Sequence, residues 1–341
     1  MSSIIISFVA GGGKTKYSRE YMMQNKGGLY LAFTNSVIDE MKTTGLLSLT
    51  ISSLFSSYIL PKMFSHIPII AKGAHISHNK NTSQQEKMLS AITIENNGNI
   101  FNKSTRLNKV CLETNNLDLH NMPRFNSSYH VKSIFNISSV LLNHAQRDAL
   151  SWYILKKYPE KVISLMKSRF KFVIIDESQD IKRGFMQDFA ELLYESNIDL
   201  IILGDPYQNV NGGSDWFENL SPSETNNKTY RCPENNCQWI RENLAIDITG
   251  ERKEGGCLKI NNDDIKDYDD GERTLLYTQE SQHTKQIINR WSGRKSTIKS
   301  AKGSTIKSDV VIIGKTMNIR NFYTAVTRTE KYVYYTVESI N

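Results

Sequence analysis

Cysteine is scarce in this chain: Cys111, Cys232, Cys237 and Cys257 are its four in 341 residues. So few in so long a sequence exclude a disulfide scaffold and imply reduced thiols. Cys232 and Cys237 are not spaced as a zinc knuckle, and scattered His75 and His78 do not complete a ligand set, so no zinc site is expected. Long apolar runs are missing as well. Nothing approaches the ~18 consecutive apolar residues of a membrane span, and the opening Ile4-Ile5-Ile6 lacks the basic flank and length of a signal peptide. A soluble, cytoplasmic protein is the expectation. Acidic residues are outnumbered, 35 against 42 lysines and arginines, and the resulting net charge of +7 suits a polyanionic partner. With 39% apolar and 23% charged residues the chain is not globally disordered, and its length allows two domains with full cores. No internal repeat recurs at a fixed period.

What is present is an alternation of short apolar strands with polar helices. It runs from Ile4 to about residue 56: strands at Ile4 to Val9, Leu29 to Phe33 and Leu47 to Ile51, with helices after Gly13 and through Val37 to Met41. This is parallel α/β order. Residues from about 60 to 145 are rich in Asn, Ser, Lys and His with weak periodicity, and read as a partly helical insertion. The rhythm returns with a strand at Phe172 to Ile175, a helix through Phe185 and Phe189, and a strand at Leu200 to Leu203. From Thr229 a second unit begins, with strands at Thr274 to Tyr277, Val310 to Ile313 and Tyr332 to Thr336 and a helix around Arg320 to Thr327. Asn261 to Gly271, acidic and containing Gly, reads as a surface loop.

Three strand ends carry chemistry. After the first comes Phe8-Val9-Ala10-Gly11-Gly12-Gly13-Lys14-Thr15, the form of a phosphate-binding loop. Its glycines let backbone N–H groups close on phosphate at a helix N-terminus, Lys14 reaches the β/γ-phosphates, and Thr15 holds Mg²⁺. The full pattern asks for Gly where Phe8 stands, and an ordinary β–α turn is the alternative. The second is Asp176-Glu177-Ser178-Gln179-Asp180, two carboxylates at the carboxyl edge where parallel sheets bind ligands. There Asp176 would bind the metal and Glu177 would polarise the attacking water; an acidic N-cap is the bland reading. The third is Gly204-Asp205-Pro206-Tyr207-Gln208, whose Gln208 would sense a γ-phosphate or its water.

With these blocks in order, the sequence resembles the superfamily 1 helicases of the UvrD/Rep/PcrA group. Leu31-Ala32-Phe33-Thr34-Asn35-Ser36 and Thr50-Ile51-Ser52-Ser53-Leu54-Phe55 resemble that family's strand-contacting blocks. Asp176 to Asp180 resembles its DExQD box and Gly204 to Gln208 its GDxxQ box. Thr229-Tyr230-Arg231 resembles its Tyr-Arg block and Ser300-Ala301-Lys302-Gly303 a further motif. Phe322-Tyr323-Thr324-Ala325-Val326-Thr327-Arg328 resembles the last. The resemblance implies an α/β protein of two RecA-like P-loop NTPase domains. Residues 1–225 would form the first, with the insertion at about 60–145, and 226–341 the second. It also implies an ATP-dependent helicase with Mg²⁺, moving 3′-to-5′ on single-stranded DNA or a tailed duplex, with RNA as an alternative. Glu177, Gln208, Arg231 and Arg328 would be catalytic. Gly11, Gly12, Gly13, Lys14, Thr15, Gln179, Tyr230 and Gly303 would contact the nucleotide, with Thr15 and Asp176 on the metal. Thr34, Asn35, Thr50, Ser53, Phe55, Trp216 and Lys299 would meet the strand.

The departures are specific. The chain starts a few residues before its first strand, leaving no room for the family's adenine-reading glutamine motif, so base selectivity stays open. Ser52 and Lys299 stand where the family has histidine, and Thr305 replaces an acidic residue, as in viral branches of superfamily 1. The family's base-stacking aromatic is missing at its usual offset, with Trp216 or Phe217 as substitutes. Between Tyr277 and Lys302 there is no large second-domain insertion. Two alternatives follow: an ATPase subunit working with a partner such as a nuclease or replication protein, or a viral-type RNA helicase. Lys72, Lys80, Lys87, Lys103, Arg106 and Lys109 of the insertion are candidate phosphate contacts.

Overall fold

Apolar runs of four to six residues, bounded by Gly, Asp or Lys, build two separate parallel sheets. The computed structural model describes residues 3–33, 35–63, 69–71, 90–94, 100–102, 131–136, 139–142, 144–279 and 282–341. The first part comprises β1 (Ile4–Phe8), α1 (Lys14–Gln24), β2 (Gly28–Ala32), α2 (Asn35–Lys42), β3 (Ser48–Thr50), α3 (Ile51–Leu54), a π-helical turn at Phe55–Ile59 and α4 (Leu60–Met63). After the intervening segment come α5 (His144–Lys157), α6 (Pro159–Arg169), β9 (Phe172–Ile175), α7 (Phe185–Glu195), β10 (Asp199–Gly204) and β11 (Glu224–Asn226). Strand order is β11-β1-β10-β9-β2-β3, every pair parallel.

Both faces of this sheet are covered, as a parallel sheet requires. Alternate residues therefore go to opposite cores. Ile5, Leu29, Leu31, Val173, Ile175 and Ile202 pack with Phe55, Phe189 and Met166 on one face. Ile6, Phe8, Tyr30, Phe172, Ile174 and Leu203 pack with Met22, Ile38 and Met41 on the other.

The segment between α4 and α5 departs from the partly helical reading. Its described residues are five short strands: β4 (Ile69–Ala71), β5 (Ser90–Ile94), β6 (Ile100–Asn102), β7 (Val131–Asn136) and β8 (Ser139–Leu142). They form one mixed sheet, ordered β4-β8-β7-β5-β6. Ile- and Val-bearing runs that alternate with Ser, Thr and Lys satisfy a half-buried strand as readily as a helix, and long polar stretches hid that period. The six candidate cations of this segment, with His75, His78 and Cys111, lie outside the described residues.

The second part comprises β12 (Lys228–Pro233), α8 (Glu234–Leu244), β13 (Thr249–Arg252), β14 (Gly256–Lys259), β15 (Thr274–Tyr277), α9 (Gln282–Arg290), β16 (Arg294–Thr297) and α10 (Ile298–Ala301). It continues through β17 (Val310–Ile313), β18 (Thr316–Met317), α11 (Ile319–Val326), β19 (Tyr332–Tyr335) and β20 (Ser339–Ile340). The second sheet is ordered β14-β19-β17-β15-β16, again all parallel, with β12–β13 and β18–β20 as separate pairs. The 225/226 boundary expected from sequence falls inside β11, which pairs with β1. Asn261 to Gly271 contains a 3₁₀ helix (Asn262–Tyr268), because Ile265 inserts into the core beside Leu275, Ile288 and Trp291. No helix among the described residues is long and apolar enough to cross a membrane.

Candidate functional site

The carboxyl ends of β1, β9 and β10 converge on one edge of the first sheet, and α11 of the second sheet closes over them. Gly11 (φ 71°) and Gly13 (φ 91°) turn the loop between β1 and α1 through left-handed conformations. A side chain at Gly11 is excluded twice, since its Cβ would lie 2.7 Å from both Arg231 Cβ and Thr229 Oγ1. Phe8, at the position where the motif asks for Gly, ends β1 with its ring in the core. The strand therefore keeps its apolar run and the turn starts at Val9, whose carbonyl accepts from Gly12 N–H at 3.0 Å. Gly13 caps α1 without a side chain, which leaves the helix's first N–H groups for an anion.

Lys14 opens α1 and is buried, 3.6 Å from Glu177 Oε1. Burial lowers its pKa, but Glu177, Asp176 and Asp205 outweigh that and raise it, so it stays charged. Asp176 accepts from Tyr30 O–H at 2.6 Å and from Glu177 N–H at 2.7 Å. Burial, helped by the Glu177 charge, raises its carboxyl. Glu177 is affected oppositely: burial opposes its charge, yet Lys14, Lys302 and the Gln179 amide hold it below the usual range. It also occupies the left-handed region (φ 53°) without being glycine, a strain of about 1–3 kcal/mol that surrounding contacts must hold.

Further hydrogen bonds tie this edge together. Gln179 donates to Glu177 and accepts Asp205 N–H at 3.0 Å, so its amide serves protein partners instead of pointing at a nucleotide. Gln208 donates to Asp205 Oδ2 at 2.6 Å. From the second sheet, Arg328 donates to Gln208 Oε1 at 3.0 Å and to the Thr324 carbonyl at 3.0 Å. Among the described residues it is the largest fully buried side chain, and burial together with the neighbouring Arg231 charge pushes it down to about 9. Arg231 donates to the Thr327 carbonyl at 3.3 Å. Two guanidinium groups and a lysine thus border one buried spot, an arrangement that an anion with several oxygens would relieve. Tyr230 leaves its ring half exposed beside Gly13, where a planar base can stack.

Thr15 lies in the first turn of α1 and Asp176 at the end of β9. Among the described residues no three His, Cys, Asp or Glu side chains gather to hold a metal. One carboxylate and one hydroxyl fit Mg²⁺ that arrives on phosphates, which needs few protein ligands. Gly303 (φ 86°) borders open space, and its neighbour Lys302 does the bonding, reaching Asp180 Oδ1 and the Gln208 carbonyl at 2.6 Å each.

The strand-contact candidates divide. Thr50, at the end of β3, caps α3 by accepting Ser53 N–H at 3.1 Å and donating to Ser53 Oγ at 2.8 Å. Thr297, at the end of β16, repeats this on α10 with Ser300 at 3.1 and 2.8 Å. Both are edge strands of their sheets, and Lys299 is exposed between Thr297 and Ser300. Phe55 and Trp216 are corrections. Phe55 is fully buried edge-on to Phe185 and Phe189, at 4.7 and 5.0 Å, and Trp216 is buried in the same core with Phe217, so none of these rings faces a base. Thr34 lies outside the described residues, and Asn35 begins α2. Tyr30, Asp180, Asp205, Lys302 and Tyr323 are site members that the sequence did not single out. Asp180, Asp205, Lys302 and Tyr323 each lie within a quoted block, whereas Tyr30 had no such signal.

A protein-family description, the viral superfamily 1 RNA helicase core domain, matches residues 103–336. No curated protein matches the chain. Among solved structures it is similar to the PRRSV helicase, at 12% identity and a TM-score of 0.49 over 98% of this chain and 52% of that one. It is also similar to arterivirus nonstructural protein 10 (helicase) in complex with DNA, at 13% identity and a TM-score of 0.48 over 98% of this chain and 60% of that one. The chain therefore spans between half and three fifths of those proteins.

Proposed function

Since the chain belongs to the viral superfamily 1 RNA helicase core family, we propose that it hydrolyses ATP between its two parallel sheets and uses the cycle to move along single-stranded nucleic acid. In this reading each sheet is the core of one RecA-like domain, with the division after β11 and not at 225/226. The observation that carries the reading is Arg328: a side chain of the second sheet sits buried against Gln208 of the first, at the edge holding Lys14 and Glu177. A cation delivered across a cleft stabilises phosphoryl charge only when the cleft closes, which links hydrolysis to movement.

In this reading the α1 N-terminus and Lys14 hold the β- and γ-phosphates, and Tyr230 stacks on the base. Glu177, held anionic, accepts the proton of the attacking water while Gln208 orients that water. Arg231 and Arg328 spread their donors over the transferring oxygens. Thr15 and Asp176 hold Mg²⁺, which neutralises phosphate charge when bound. The strand runs across the ends of β3 and β16, where matching Thr–Ser caps present hydroxyls and helix N-termini to successive phosphates, with Lys299 beside the second.

RNA is the first strand to test on the family membership; single-stranded DNA with 3′-to-5′ travel is the second, supported by the UvrD-like blocks. ATPase rates with and without RNA or DNA oligonucleotides test the motor, and absence of stimulation by any strand refutes it. Strand displacement on 3′- and 5′-tailed RNA and DNA duplexes then decides substrate and polarity. Weak displacement restored by an added nuclease or replication protein would favour the role of a subunit.

A further inference from the structure

Tyr323 closes a ring of hydrogen bonds that leaves α11 and returns to it. Its hydroxyl accepts the Ala10 N–H at 2.9 Å and donates to Asp205 Oδ2 at 3.1 Å. Asp205 Oδ2 also accepts from Gln208 Nε2 at 2.6 Å, and Gln208 Oε1 accepts from Arg328 at 3.0 Å. Arg328 lies two residues beyond the end of α11 and donates back to the Thr324 carbonyl. We propose that Tyr323 is a positioning residue: its hydroxyl docks α11 on Ala10 of the phosphate loop and fixes the Asp205–Gln208 pair in the orientation that Arg328 requires. The inference deepens the proposed function and rests on reading Arg328 as the phosphate-facing group.

The direction of every bond is forced. A backbone N–H can only donate, so the Tyr323 oxygen accepts from Ala10 and its single proton goes to Asp205. Asp205 as a carboxylate can only accept, so Gln208 presents its NH₂ there and its carbonyl oxygen to Arg328. Turned over, the Gln208 amide would present N–H to a guanidinium, donor against donor. Ala10 is fully buried among residues of the second sheet's core, Val326 and Phe322 included, so its N–H has no route to water. The Tyr323 ring is held separately by packing, at 5.7 Å from Tyr207. Removing the hydroxyl therefore leaves the ring in place and cuts only the ring of bonds.

The test is Tyr323→Phe in the full chain, assayed for strand-stimulated ATPase, for binding of a fluorescent non-hydrolysable ATP analogue, and for melting temperature. The expected result is a kcat reduced about ten- to hundredfold, as for misplaced catalytic groups, with analogue affinity and KM within about twofold of wild type. Combined with Arg328→Lys, Tyr323→Phe should add no further loss, because both act through the same guanidinium. Unchanged kcat, or losses that multiply in the double variant, would overturn the proposal. Should Tyr323→Phe not fold, Asp205→Asn attacks the same ring from the other side, and a wild-type kcat there overturns it equally. A wild-type chain without ATPase activity overturns the functional reading and this inference with it. An active wild type with an unimpaired Tyr323→Phe overturns this inference alone.

Discussion

Glu177 and Arg328 show how far one residue's behaviour is decided by its neighbours. Glu177 keeps its charge despite burial because Lys14, Lys302 and Gln179 surround it. In the proposed mechanism Glu177→Gln removes the proton acceptor and Lys14→Ala the phosphate cation. Each should reduce ATP turnover about 10³-fold or more, while Arg328→Ala should cost about 10³- to 10⁵-fold. Steady-state ATPase measurements check all three, and a near-wild-type rate removes the role assigned to that residue. The thiols provide a second check. Contact with Cys237 and burial push Cys232 up, and burial pushes Cys257 up, so both stay protonated at neutral pH, and thiols react as thiolates. Iodoacetamide on the native protein at pH 7.5 should leave both unlabelled until denaturant is added, read by peptide mass spectrometry.

Among the elements, the aromatic side chains near the third strand end separate packing from binding. Trp216 and Phe217 belong to the core around Phe189. Trp216→Ala should therefore lower stability by about 3 kcal/mol, seen as an earlier denaturation midpoint, with strand affinity at low temperature unchanged. A selective loss of strand binding in a stable variant would return Trp216 to the interface. The twin caps on α3 and α10 have the opposite signature. Thr50→Val or Thr297→Val costs about 1 kcal/mol of capping and removes one phosphate contact of the proposed strand path, so strand affinity should fall and the salt dependence of binding flatten.

For the whole molecule, part of the contact between the two sheets is polar and buried. Lys302 carries its charge from the second sheet to Asp180, both side chains only 6% exposed, and burial raises the Asp180 carboxyl against the pull of Lys302. A buried charge without its partner costs about 3–5 kcal/mol, whereas an apolar pair in its place is often neutral. Lys302→Met should thus weaken closure and slow ATP turnover, and Lys302→Met with Asp180→Leu should recover stability toward wild type in chemical denaturation. Arg320 and Glu218, 2.6 Å apart, span the same interface at a more exposed position and should matter much less.

The sequence by itself determined the α/β order, most strand positions and the blocks at the sheet edges, because a buried parallel strand is a short apolar run and phosphate chemistry needs Gly, Lys and carboxylates at fixed offsets. Phe172 to Ile175 and Val310 to Ile313 appear as strands with the bounds that composition indicates. The sequence did not reveal the strands between α4 and α5, the burial of Phe55 and Trp216, or the use of Gln179 on protein partners. An aromatic ring has the same letter whether it packs or stacks, and only its neighbours in space decide between the two. Tertiary structure alone also brought Tyr30 to Asp176, Lys302 to Asp180 and Tyr323 to Ala10, across separations of 146, 122 and 313 residues. Such bonds depend on how two sheets meet, a geometry that no local pattern encodes.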